Sequence, residues 1–175
     1  MWERLAHFLG FKSSDYTPPA ATSRPKLLLT EACIQGLQVC LTPEMRKGHE
    51  GIAYLFGRTD GVVTIAVTAF RPEAKTTPGS FLVEPRAMAI GVRAAANLGL
   101  QMVAQVHTHP GAAYHSGGDV EGARIRYPGY GSIVLPDYGR HLPRLDGAAI
   151  YFFGQARDWI ELSPNEVNVI PERAQ

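Results

Sequence analysis

His107-Thr108-His109-Pro110-Gly111-Ala112-Ala113-Tyr114-His115-Ser116-Gly117-Gly118-Asp119 runs from the end of a predicted strand to the start of a predicted helix. In a strand, alternate side chains share a face, so His107 and His109 point the same way and Thr108 points the other. Pro110-Gly111 ends the strand and turns the chain. Ser116, three residues before Asp119, has the spacing of a helix cap, which places Asp119 in the first helical turn. From there its carboxylate can swing back toward the two imidazoles. Two neutral imidazoles and one carboxylate around a cation leave a tetrahedral position open, the arrangement of a catalytic rather than a structural zinc. A water in that position would ionise near pH ~7.

Such a water needs a proton acceptor. Glu50 is the candidate, at the head of His49-Glu50-Gly51-Ile52-Ala53-Tyr54-Leu55-Phe56-Gly57. A carboxylate opening an apolar strand is hard to explain as a strand former. If that strand lies beside the one ending in His107 and His109, Glu50 faces the water, takes its proton and returns it to the leaving amine. Ser116 has a hydroxyl for the oxyanion of a tetrahedral intermediate. Glu44 is the rival carboxylate, but it sits in a helical first turn where acids are common. His115 is read as a plain loop histidine ahead of a role behind the ligands or toward substrate.

Outward from this stretch, the chain alternates helix and strand signals. Trp2, Leu5, Phe8 and Leu9 share a face of a short helix over 1–12, and the Pro-, Ser- and Thr-rich 13–25 reads as a linker. A helix is expected over 30–41, capped by Thr30 and carrying Ile34, Leu37 and Leu41. Thr42-Pro43 is expected to open a separate short turn. Strands are expected over 50–56 and 62–70, joined at Asp60-Gly61, followed by a loop over 71–80. A second helix is expected over 83–98, burying Val83, Ala87, Ile90, Ala94 and Leu98 and stopped by Gly99. Strands follow over 100–109, 132–136, 148–153 and 158–162, with Tyr151-Phe152-Phe153 and Trp159 in the core. Asp137, Arg140, His141 and Asp146 fall in a solvated connection. The order predicts an α/β or α+β domain over 26–165 with a mixed central sheet flanked by helices. Residues 1–25 precede it as a short helix and linker, and 166–175 follow as a tail that frays from 171.

The 175 residues and the near balance of 17 basic and 16 acidic side chains fit one domain and give no basic footprint for nucleic acid. No apolar run reaches the ~20 residues of a membrane span, and the N-terminus lacks the form of a secretory signal. Cys33 and Cys40 lie seven apart on one predicted helix, about 10 Å along its axis and beyond disulfide reach. Two reduced cysteines suit a cytoplasmic protein.

Taken together, an upstream Glu, His-Thr-His with Pro next, and Ser-x-x-Asp resemble the signature of the JAMM/MPN+ (JAB1/MPN/Mov34) metallopeptidases, in their short bacterial form. The resemblance covers roughly 28–163. It implies a cytidine-deaminase-like JAB/MPN fold, one Zn2+ per chain on His107, His109 and Asp119, Glu50 as acid and base, and Ser116 as oxyanion donor. One departure stands out. Six residues separate His109 from Ser116, one fewer than in the family pattern, which brings His115 against Ser116.

The resemblance further implies hydrolysis of peptide or isopeptide bonds at the C-terminus of ubiquitin or a ubiquitin-like protein, with E1- and E2-like enzymes as partners. The chain has no room for the large insertions of linkage-specific relatives, so tail processing or general deconjugation is expected. Alternatives are a non-catalytic MPN-type scaffold, or hydrolysis of a small-molecule amide by the same zinc site. Amidohydrolase barrels need about 250 residues. Nucleotide deaminases need H-x-E with P-C-x-x-C, and neither motif occurs.

Overall fold

The computed structural model describes residues 24–172. The helix expected over 1–12, nearly all of the 13–25 linker and the fraying from 173 onward lie outside the described residues.

Among the described residues the chain forms an eight-stranded mixed sheet with helices on both faces, as expected. In order the elements are β1 (Lys26–Thr30), α1 (Glu31–Lys47), β2 (Ile52–Thr59), β3 (Val63–Phe70), β4 (Lys75–Thr77), β5 (Ser80–Leu82) and α2 (Pro85–Asn97). They continue with β6 (Gln101–Thr108), α3 (Gly117–Gly122), β7 (Gly131–Leu135), β8 (Ala149–Phe153), β9 (Trp159–Glu161) and β10 (Val167–Ile170). The main sheet runs β10-β1-β3-β2-β6-β7-β8-β9, and β4 and β5 form a separate hairpin. β1 is parallel to both β3 and β10, and β6 is parallel to β7. The other neighbours in the main sheet are antiparallel.

α1 begins where the sequence reading puts it. Thr30 has extended backbone, and its hydroxyl accepts from the Cys33 N–H at 3.1 Å. The helix does not stop at Leu41, however. It runs through Pro43 to Lys47 and ends on Gly48, whose φ of 66° suits glycine. The buried stripe Ile34, Leu37, Leu41 continues into Glu44, so packing carries the helix over the proline. Pro43 removes the donor that the Val39 carbonyl would use, and Val39 is 74% exposed, where water can replace it.

α2 also departs from expectation. Its buried residues are Ala87, Gly91 and Ala95, while Ile90 and Leu98 are exposed. A Cβ on Gly91 would lie 2.9 Å from Met102 Cε and 3.0 Å from Phe70 Cε1. Close approach of the helix to the sheet thus selects the smallest side chains for the contact face, and the larger ones turn outward.

Two further corrections concern strands. The segment 71–80 contains most of the β4–β5 hairpin and is not all loop. The stretch assigned to a tail holds β10, which pairs with β1 from Leu27↔Val167 to Thr30↔Ile170, so the sheet extends past residue 165. Neither β1 nor β10 has a long alternating pattern, and each is recognisable only by its partner.

The core has two parts. One holds Leu27, Leu29, Ile34, Leu37, Leu41, Leu55, Val106 and Phe152, under α1. The other holds Ile52, Tyr54, Phe56, Ala87, Ala95, Met102 and Tyr130, under α2. Cys33 and Cys40 are free thiols, and burial pushes the Cys33 thiol up to about 12.

Candidate functional site

β6, in the interior of the sheet, carries His107, and His109 follows one residue past its end at Thr108. Ile52 pairs with His107 across the β2–β6 ladder, so both lie on the α2 face. One step on, the Gly51 N–H donates to Thr108 Oγ1 at 2.8 Å and the Thr108 N–H donates to the Gly51 carbonyl at 3.1 Å. Continuing that register sets Glu50 opposite His109, on the face of His107 and His109. Glu50 is not the first residue of the strand but lies two before it. Its N–H donates to the Thr77 carbonyl of β4 at 2.9 Å, and its side chain is buried at the cleft wall.

Asp119 arrives from α3. Ser116 caps this helix in both directions: the Asp119 N–H donates to Ser116 Oγ at 3.2 Å, and the Ser116 N–H donates to Asp119 Oδ2 at 2.8 Å. The Ser116 hydroxyl also donates to Oδ2, at 2.6 Å. The other carboxylate oxygen, Oδ1, lies 3.0 Å from His107 Nε2, and Oδ2 lies 3.7 Å from His109 Nε2. One ligand atom from each of His107, His109 and Asp119 falls within 4.8 Å of the others. The fold thus brings together the three side chains that the sequence points to, with Glu50 and Ser116 lining the adjoining cleft.

A metal ion fits this set. His107 is fully buried, yet neither ring nitrogen has an aligned hydrogen-bond partner. An imidazole buried in that condition carries a desolvation cost that a cation would offset. The electrostatics agree. Burial pushes the Asp119 carboxyl up, but the His107 imidazole and the Ser116 donors outweigh it and hold the pKa well below the usual carboxylate range. Burial, with His107 adding, lowers His109 against the opposing pull of Asp119, which favours the neutral ligand form. Burial raises Glu50, with His107 opposing and Asp119 reinforcing.

The cleft encloses about 560 Å³ and is walled by β5 on one side and the Tyr114–Asp119 segment on the other. Phe81 packs on the His107 ring at 5.3 Å between centroids, and Tyr114 meets His109 edge-on at 5.0 Å. Neither was singled out in the sequence. Tyr114 could have been found from its place in the His109–Ser116 loop, whereas Phe81 carried no signal. Glu44 is excluded as a rival by its surroundings. It is buried and held by Arg71, Lys47 and Thr76, at a second cleft that it shares with Arg71 and Thr76.

His115 is not a plain loop histidine. Its Nε2 lies 2.9 Å from Ser132 Oγ, and its ring stacks on Tyr151. Burial lowers its pKa to about 4, with Asp119 opposing and the other two histidines adding. Tyr151 and Trp159, expected in the core, are half-buried and serve as its walls, while Phe152 and Phe153 are buried.

Residues 42–138 match the model of prokaryotic homologs of the JAB domain, more than half of the chain. The protein belongs to the prokaryotic JAB-domain family. This JAB-domain chain is 29% identical over 138 residues to the probable metalloprotease y4jG of Sinorhizobium fredii, covering 77% of this chain and 85% of that one. Its fold is similar to the solution structure of protein DSY2949 from Desulfitobacterium hafniense, with a TM-score of 0.60 at 16% identity, over 85% of this chain and 94% of the other. Family and relative support a metallopeptidase-like role for this JAB-domain protein. Among the described residues, no helix is long and apolar enough to cross a membrane.

Proposed function

We propose that this protein is a zinc-dependent peptidase that cleaves peptide or isopeptide bonds at the C-terminus of a ubiquitin-like protein. The observation that carries the reading is the convergence of His107, His109 and Asp119 in a cleft that also presents Glu50. His2Asp is a donor set suited to zinc, with a position left for solvent. A zinc ion held there supplies a Lewis acid that polarises the scissile carbonyl and acidifies the attacking water.

The chain's own groups do the rest. Glu50, raised above its usual range by burial, accepts the water's proton as the carbonyl is attacked. It then gives that proton to the departing nitrogen. The Ser116 hydroxyl, turned from Asp119, donates to the developing oxyanion. Asp119 and the two histidines hold their places throughout.

The substrate class rests on shape. A ubiquitin-like C-terminal tail is extended, and an extended chain can add to an unpaired strand. β5 lines the cleft and has only β4 as a neighbour among the described residues. Such a tail would reach the cleft with its scissile carbonyl toward the cluster of His107, His109 and Asp119. E1- and E2-like enzymes are the expected companions, and the free cysteines favour a reducing, cytoplasmic setting.

The test is a ubiquitin-like protein carrying a C-terminal extension, incubated with wild type, Glu50→Ala and Asp119→Ala. Wild type should bind one zinc and cleave. Glu50→Ala should keep zinc and lose turnover by at least ~100-fold, and Asp119→Ala should lose both. Equal cleavage by all three, or no zinc-dependent cleavage by wild type, overturns the proposal.

A further inference from the structure

The segment after β6 must bring Asp119 back to His107, and its own structure is poorly suited to do so unaided. α3 has six residues, three of them glycine. A helix this short and this rich in glycine does not hold itself in water. Its N-terminal cap, Ser116, holds Asp119 by three hydrogen bonds, but these fix Asp119 only relative to Ser116. Something must fix Ser116 relative to the sheet.

The preceding residue does. Gln105, Ser132 and Tyr151 form one row across β6, β7 and β8, one pleat before the row of His107. His115 lies over this row. Its ring is 4.1 Å from that of Tyr151 and within 5° of parallel, and Trp159 closes edge-on at 5.0 Å and 89°. The Gln105 amide donates to Ser132 Oγ at 3.3 Å, and Ser132 Oγ is hydrogen-bonded to His115 Nε2 at 2.9 Å. The His115 N–H donates to the Tyr151 hydroxyl at 3.2 Å. Ring, ring nitrogen and backbone are thus all tethered to three strands at the residue bonded to Ser116.

We propose that His115 is a positioning residue: clamped between Tyr151 and Trp159 and bonded to Ser132, it holds the Ser116 cap, and through it the Asp119 carboxylate, within range of the two histidines. The inference rests on the metal reading above. Groups behind a ligand set its orientation, and losing them costs about 10–100-fold in metal affinity or activity.

The experiment compares wild type with His115→Ala, His115→Phe and Ser132→Ala. Zinc affinity is read by competition with a chromophoric chelator, and amide exchange at Asp119 and Val120 is read in the metal-free protein. His115→Ala should bind zinc about 10–100-fold more weakly. It should exchange those two amides faster, with the β6 amides unchanged. His115→Phe keeps the stack and should fall between wild type and His115→Ala, as should Ser132→Ala, which keeps the ring. Wild-type affinity and wild-type exchange in His115→Ala overturn the inference. Should His115→Ala not fold, wild-type values of both readouts in both other variants overturn it. If wild type binds no zinc, the metal reading falls, while the exchange rates still decide whether His115 holds Asp119.

Discussion

Thr108 stands between the two histidines and points away from them. Its hydroxyl is the acceptor for the buried Gly51 N–H, next to Glu50. Thr108→Val keeps the shape and strands that donor, so it should cost about 1–3 kcal/mol, while Thr108→Ser should recover most of it. Urea denaturation reads both, and a valine variant as stable as wild type contradicts the role. His115 makes a second residue-level prediction. Burial lowers its imidazole to about 4 in the folded chain, against an ordinary 6.5. Above 6.5 both the folded and the unfolded chain carry it neutral. Between the two values the unfolded chain takes up a proton that the folded chain refuses, so this contribution to stability is present above pH 6.5 and is lost as pH falls toward 4. Metal-free His115→Phe should show a shallower loss of stability over that window than wild type, and identical slopes would contradict it. The convergence of His107, His109 and Asp119 was legible in the sequence because these residues and the Ser116 cap lie within one short stretch governed by strand alternation and capping. The work of His115 was not, because its partners Ser132, Tyr151 and Trp159 are distant in the chain and only the sheet assembles them.

At the scale of elements, glycine decides how closely backbones meet. β2 is irregular at Phe56/Gly57 against β3, and a Cβ on Gly57 would sit 1.8 Å from the Ile65 carbonyl oxygen. No rotamer relieves a clash with backbone. Gly57→Ala should therefore cost about 3 kcal/mol or more, whereas Gly79→Ala, with nothing within 4 Å of the new Cβ, should stay within about 0.5 kcal/mol. Equal midpoints in chemical denaturation would refute the distinction. The elements themselves were largely readable: Thr30 announced α1, Asp60-Gly61 announced the β2–β3 turn, and Pro85 opened α2. What misled was the assumption that the largest apolar residues mark the buried face. Ile90 and Leu98 obey helical spacing yet face solvent, since the Ala87-Gly91-Ala95 face packs nearer to the sheet. Volume at the contact, rather than hydrophobicity alone, chose the orientation.

For the whole molecule, a metal bound between the end of β6 and α3 would be linked to folding. An ion that binds only the folded chain stabilises it by about 2.7 kcal/mol at one hundred times its dissociation constant. Melting temperature should rise with added zinc in wild type and in Glu50→Ala, and stay flat in Asp119→Ala. A chelator should reverse the rise, and a wild-type curve indifferent to both would exclude the linkage. The mixed sheet flanked by helices followed from the order of elements, but its outer pairing did not, because β1 and β10 are short and share no local signal. That pairing has a consequence during synthesis. Among the described strands β1 emerges from the ribosome first, and the neighbour that covers its outer edge emerges last. Until β10 appears, the nascent domain displays bare backbone along Leu27–Thr30, an adhesive margin on which a chaperone or a neighbouring nascent chain can settle first.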